Sequence, residues 1–135
     1  MHTLTLPARV ERLAEASAFV EGLLAEGGCP KKIALQIGVA LEELFVNIAR
    51  YAYAPGEGRV EIQCELSPAA PGVCITLVDT GAPYDPLNKQ DPDITLDAAA
   101  RELGGLGIFL AKKTMDEIVY RYEHGANRVT LVKGW

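Results

Sequence analysis

Residues 31–48 read KKIALQIGVALEELFVNI, and the reading of this stretch decides the fold. Pro30, just before it, suits a helix start, because the first turn has no use for the N–H that proline lacks. Ile33, Ile37, Leu41, Leu44 and Ile48 recur at helical spacing and form one apolar stripe. A helix is predicted from Pro30 to about Tyr53, where Pro55-Gly56 stops it. With Leu44 at zero and roughly 100° per residue, the stripe centres near about +20°, Asn47 near about −60° and Glu43 near about −100°. Glu43 and Asn47 therefore share one edge of the buried face, one turn apart, while Glu42 turns to solvent. A carboxylate and an amide stacked in this way can hold a magnesium ion and orient a nucleophile, since magnesium takes only one or two protein oxygens beside waters and phosphates. The same pair can equally be a polar border capped by water or by Arg50.

On the N-terminal side, residues 2–6 alternate and are predicted as an edge strand. Residues 7–26 carry Val10, Leu13, Ala14, Phe19, Val20 and Leu23 at helical spacing, and Gly27-Gly28 ends that helix. On the C-terminal side, strands are predicted over 59–66 and 73–79, with a turn at 68–72. Residues 80–105 hold Pro83, Pro86 and Pro92 and few large apolar side chains; only 96–103 reads as helical. So long an irregular connection inside a compact domain is the mark of a functional segment, here a lid. A short helix over 106–114 follows, then strands over 117–123 and 128–133 joined by a turn at His124-Gly125-Ala126-Asn127. The expected fold is α+β: one domain spanning 1–135, with helices on one face of a mixed, largely antiparallel sheet.

Composition narrows the function. The chain has 135 residues, 13 basic and 18 acidic side chains and a formal charge of −5. That balance, with no dense basic run, argues against non-specific nucleic-acid binding. Cys29, Cys64 and Cys74 form no C-x-x-C pair, and His2 and His124 lie far from them, so reduced thiols are expected and a zinc site is not. The first residues lack the charged start and apolar core of a signal peptide, and no apolar run is long enough to span a membrane. A cytoplasmic protein is expected.

Two more places carry chemistry. Asp79-Thr80-Gly81 stands where the chain leaves the strand 73–79. An aspartate there can accept a hydrogen bond from the exocyclic amine of a base, and the glycine lets backbone approach a ring; D-x-G also occurs in ordinary turns. Gly104-Gly105-Leu106-Gly107 immediately precedes the helix. Successive N–H groups at a helix start can cradle an anion, and a hinge would use the same glycines. It is neither a dinucleotide fingerprint nor a P-loop.

The order is E-x-x-x-N on a helix, D-x-G after a strand, then G-x-G opening a helix. Residues 42–49, EELFVNIA, resemble the N box of the histidine-kinase/Hsp90-like (GHKL) ATPases, whose fold is the Bergerat α/β sandwich. Residues 79–86, DTGAPYDP, and 104–110, GGLGIFL, resemble their two glycine boxes. The D-x-G-x-P-aromatic-D-P form, the short length and Met115-Asp116-Glu117-Ile118 are similar to the anti-sigma-factor serine/threonine protein kinases of that superfamily. The resemblance implies ATP and Mg2+ as cofactors, with Asn47 on the metal and Glu43 as general base. It implies Asp79 on the adenine amine and Gly81 beside the ring. Gly105, Leu106 and Gly107 would cradle the phosphates, and Thr130 would support Asp79. Arg101 is the candidate phosphate-contacting arginine; with Lys89 it is all the basic charge of the lid, so phosphate charge rests mostly on metal and backbone. The implied function is a kinase acting on an anti-sigma-factor antagonist protein, with a sigma factor as a further partner and a homodimer as the assembly. A non-catalytic, nucleotide-dependent binding module in a partner switch and the detached catalytic domain of a histidine kinase are the alternatives.

Overall fold

The computed structural model describes residues 1–67, 69–88 and 105–135. Arg101, Lys89 and the helix expected at 96–103 lie outside the described residues. Chain order is β1 (His2–Pro7), α1 (Leu13–Glu26), α2 (Lys31–Asn47), β2 (Arg59–Ser67), β3 (Gly72–Asp79), α3 (Gly105–Thr114), β4 (Glu117–Glu123) and β5 (Ala126–Gly134). The strands form one sheet in the order β1-β2-β3-β5-β4. The expected mixed, largely antiparallel sheet is antiparallel at every described pairing.

Strand alternation explains the layering. Val60, Ile62 and Cys64, Val73, Ile75 and Leu77, and Val129 and Leu131 are buried on one face. The helices cover that face with Val20 and Leu24 from α1, Ile37, Leu41, Leu44 and Phe45 from α2, and Ile108 and Ala111 from α3. Each large apolar side chain so buried contributes about 1.5–3 kcal/mol, set against chain entropy of similar total size. Thr76, Thr130 and Arg128 have the opposite parity and stand on the other side of the sheet.

Three boundaries differ from expectation, each for a local reason. Pro7 still pairs with Arg59 in the sheet, and a 3-10 turn at Val10–Arg12 intervenes, so α1 starts at Leu13 rather than 7. Helix α2 is α-helical only to Asn47; Ile48–Ala52 continue as a π-helical turn. Such turns recur at functional sites. The β4–β5 turn is only His124-Gly125, both at positive φ (54° and 74°), with Glu123 opposite Ala126. That is the backbone of a two-residue hairpin turn. Ala126 and Asn127 thus belong to β5, not to the turn.

Candidate functional site

The second half of α2 lies along the end of the sheet where β3 finishes. Leu44, Asn47, Ile48 and Ala52 from the helix, Asp79 from β3, Asn127 and Val129 from β5, and Tyr84 and Pro86 from the segment after β3 line one cleft. Its volume is about 330 Å³, including space open to solvent. The space within it open to a water-sized group is only about 20 Å³, far below the roughly 300–1,000 Å³ of ligand sites, so a base enters only if the walls move apart. Among the described residues the walls are mostly apolar, with polar groups from Asn47, Asp79, Asn127 and the Tyr84 phenol.

Asp79 is 5% exposed and its carboxylate is held. Gly81 N–H donates to Oδ1 at 3.0 Å and Asn127 Nδ2 donates to the same oxygen at 2.9 Å. These bonds fall on Oδ1, which leaves Oδ2 for a group in the cleft. Burial pushes the Asp79 pKa up, and the hydrogen bonds from Asn127 and Gly81 pull against it.

Asn47 is 7% exposed, and its Nδ2 is buried without a hydrogen-bond partner. A buried donor left in that state costs about 1–3 kcal/mol, so it asks for an acceptor such as a phosphate or sugar oxygen. Glu43, half-buried one turn earlier, meets α3. A Cβ placed on Gly107 would overlap the Glu43 carboxylate, so any larger residue there would force this side chain aside. The expected pairing of Glu43 and Asn47 on one edge of α2 holds, and the structure adds the α3 N-terminus beside it.

Read along α2 from its C-terminal end, the site presents Asp79, then Asn47, then Glu43 with Gly107 and Leu106. Leu106 is exposed; Gly105 begins α3. Gly81 has a packing role of its own: its missing side chain makes room for Ala52, whose carbonyl accepts Ala82 N–H at 2.9 Å. One expectation needs correction. Thr130 does not support Asp79, because it projects from the opposite face of the sheet and pairs with Thr76 at 3.0 Å. The residue facing Asp79 across the strands is Asn127.

Asn127 was legible in principle. Val129 and Leu131 point inward, and 127 shares their parity. A polar amide at an inward strand position must find partners. Here it finds four close ones: besides Asp79, Nδ2 donates to Ala82 O at 2.9 Å, and Oδ1 accepts Tyr84 N–H at 3.1 Å and the Tyr120 hydroxyl at 2.5 Å; a longer contact of 3.5 Å runs from Nδ2 to Gly81 O.

The family model of the histidine kinase-like ATPase domain matches residues 6–133. The chain belongs to this family. Within this ATPase family, the chain is similar to the serine-protein kinase RsbW of Listeria monocytogenes serovar 1/2a, 28% identical over 131 residues, covering 94% of this chain and 83% of the relative. It is also similar to the serine/threonine-protein kinase BtrW of Bordetella bronchiseptica, 24% identical over 129 residues, with 96% and 90% covered. Among solved structures, the RsbU and RsbW domains of Rv1364c from Mycobacterium tuberculosis superpose with a TM-score of 0.65 at 17% identity, over 98% of this chain and 32% of that longer chain. The histidine kinase domain of the Erythrobacter litoralis EL346 blue-light activated histidine kinase superposes at 0.59 and 14%, over 95% of this chain and 61% of that one. At such identities the superpositions establish the fold, and they bear out the expected sandwich. No helix among the described residues is long and apolar enough to cross a membrane.

Proposed function

We propose that this chain binds ATP with magnesium and transfers a phosphoryl group to a serine or threonine of an anti-sigma-factor antagonist protein, within a partner switch that also engages a sigma factor. The observation that carries the proposal is the order of groups along α2. A base acceptor, Asp79, stands at one end of a narrow apolar cleft. An amide with an unsatisfied buried atom, Asn47, comes next. A carboxylate, Glu43, stands against the glycine turn that opens α3. Base, metal and phosphate ends of a nucleotide meet matching chemistry in that sequence.

The residues fit magnesium. Asn47 would offer its amide oxygen, a ligand of the kind magnesium takes one or two at a time, with phosphates and water completing the shell. When bound, the ion supplies charge neutralisation for the transferred group. The chain itself positions and handles protons. The cleft walls hold the base, Asp79 Oδ2 accepts its amine, and the α3 N-terminal N–H groups face the phosphates. Glu43 accepts the proton of the incoming hydroxyl, a role that contributes about 10²–10⁴-fold. The likeness to kinases named RsbW and BtrW supports a protein as the acceptor. A homodimer belongs to the same reading and is checked by sedimentation.

The test has two stages. Calorimetry with ATP, with and without magnesium, should show magnesium-dependent binding; a folded protein that binds no ATP refutes the proposal. Phosphotransfer to the cognate antagonist should then be lost in Glu43→Gln while ATP binding persists. Binding without transfer in the wild-type chain would establish the non-catalytic module instead.

A further inference from the structure

The Asn127 side chain is 3% exposed and uses every hydrogen-bonding position an amide has. Its two N–H groups go to Asp79 Oδ1 and Ala82 O, and its oxygen takes Tyr84 N–H and the Tyr120 hydroxyl. It therefore has nothing left for a ligand, although it lines the cleft. What it does instead is tie three pieces together: the acid at the end of β3, the segment that carries Tyr84 and Pro86 to the cleft wall, and the edge strand β4 through Tyr120.

We propose that Asn127, locked by Tyr120, is the positioning residue of the base subsite: it fixes the Asp79 carboxylate with Oδ2 toward the cleft and holds the Tyr84 wall at the spacing a purine amine and ring require. The inference rests on the nucleotide reading above. Its logic is rotational. A carboxylate held at one oxygen by two donors from different elements, Gly81 and Asn127, cannot swing. Remove Asn127 and one donor remains, from a backbone adjoining the aspartate itself. The amide's orientation is set by partners with one role each: Tyr84 N–H can only donate, to Oδ1, and the Asp79 carboxylate and Ala82 O can only accept, from Nδ2. Tyr120 matters because its hydroxyl adds a second bond to Oδ1 and anchors the amide to β4.

The lock also bears on the ionisation of Asp79, which must be charged to accept the amine. Charged and titratable neighbours are Tyr120 on β4 and Asp85 on the segment after β3, with the Tyr84 phenol lining the cleft. Helix α2 contributes only Leu44, Asn47, Ile48 and Ala52 to the lining, none of them titratable. Loss of the Asn127 donor removes a contribution that favours the ionised form. The acid limb of ATP binding should then move to higher pH.

The experiment is calorimetric MgATP binding to the whole chain across pH, for wild type, Asn127→Ala and Tyr120→Phe. Loss of a hydrogen bond to a charged group predicts weakening by about tenfold or more in Asn127→Ala. In Tyr120→Phe it should be several-fold, with the acid limb displaced upward in both. The nucleotide's own titration is common to all three proteins and cancels. Wild-type affinity and an unmoved acid limb in folded Asn127→Ala would overturn the inference while leaving the nucleotide reading intact. If Asn127→Ala does not fold, Tyr120→Phe decides by the same two readouts. Wild-type protein that binds no MgATP overturns both readings.

Discussion

Gly81→Ala tests the close packing of the segment after β3 against the end of the π-helical turn. A Cβ there would stand 2.8 Å from Ala52 Cβ and closer still to the Ala52 carbonyl carbon and oxygen. Most of that obstruction is backbone at the end of the π-helical turn, so no rotamer change relieves it. Overpacking of this kind costs about 1–3 kcal/mol. Moving the chain apart also strains the Ala82 N–H···O=C Ala52 bond, worth about 1 kcal/mol. Against this, alanine stiffens the unfolded chain and returns roughly 0.4–1 kcal/mol. The net expectation is a loss of about 2–3 kcal/mol, or a fall in Tm of about 10 °C for a domain of this size. Urea unfolding followed by far-UV circular dichroism measures it, with an unchanged slope expected. The control is Gly22→Ala, a helical glycine on α1 with open space around its Cβ. It should gain about 0.5–1 kcal/mol. If Gly81→Ala lies within about 0.5 kcal/mol of wild type, the usual range of surface substitutions, the packing argument is wrong.

Gly107→Ala makes the opposite kind of change. The three atoms nearest its Cβ all belong to the Glu43 side chain, so stability should fall by about 1–2 kcal/mol while phosphotransfer drops about 100-fold through displacement of the carboxylate; equal transfer by both proteins would separate Glu43 from the chemistry. Asp79→Asn should raise the Tm of the nucleotide-free chain near neutral pH and weaken ATP binding. A carboxyl whose folded-state pKa is raised holds its proton more tightly when folded, so its contribution is unfavourable and constant above that pKa, and the penalty is relieved as pH falls through it toward the unfolded value. The stability gap between the two proteins should therefore narrow on acidification, and a gap that is flat with pH would refute the burial argument. Asp116 behaves with the other sign. Its pKa is lowered, first by the Gly134 N–H and further by Lys133, so its contribution is present above the unfolded carboxyl pKa and lost as pH falls through the lower folded value. Asp116→Asn should be less stable than wild type at pH 7 and converge with it in acid, by thermal melts at both pH values.

Much of this protein was legible from local order alone. The stripe from Ile33 to Ile48 put Glu43 and Asn47 on one edge of α2, because side-chain direction in a helix depends only on residues within a turn. Strand alternation and the breakers Pro55-Gly56 and Gly27-Gly28 placed four of the five strands and two helices close to their observed bounds. What needed the tertiary structure were contacts across long separations. Asn127 meets Asp79 over 48 residues of chain, and that meeting depends on the register of β5 against β3, strands that no short turn joins. A slip of one residue in that register would have turned Asn127 to the far face and brought its neighbour inward. Gly81 against Ala52 and Gly107 against Glu43 are likewise close approaches of segments distant in sequence. The residue types at the site were set by the sequence; which of them touch a ligand, and which make room for one another, was decided by packing, where only atoms brought within van der Waals reach compete for the same space.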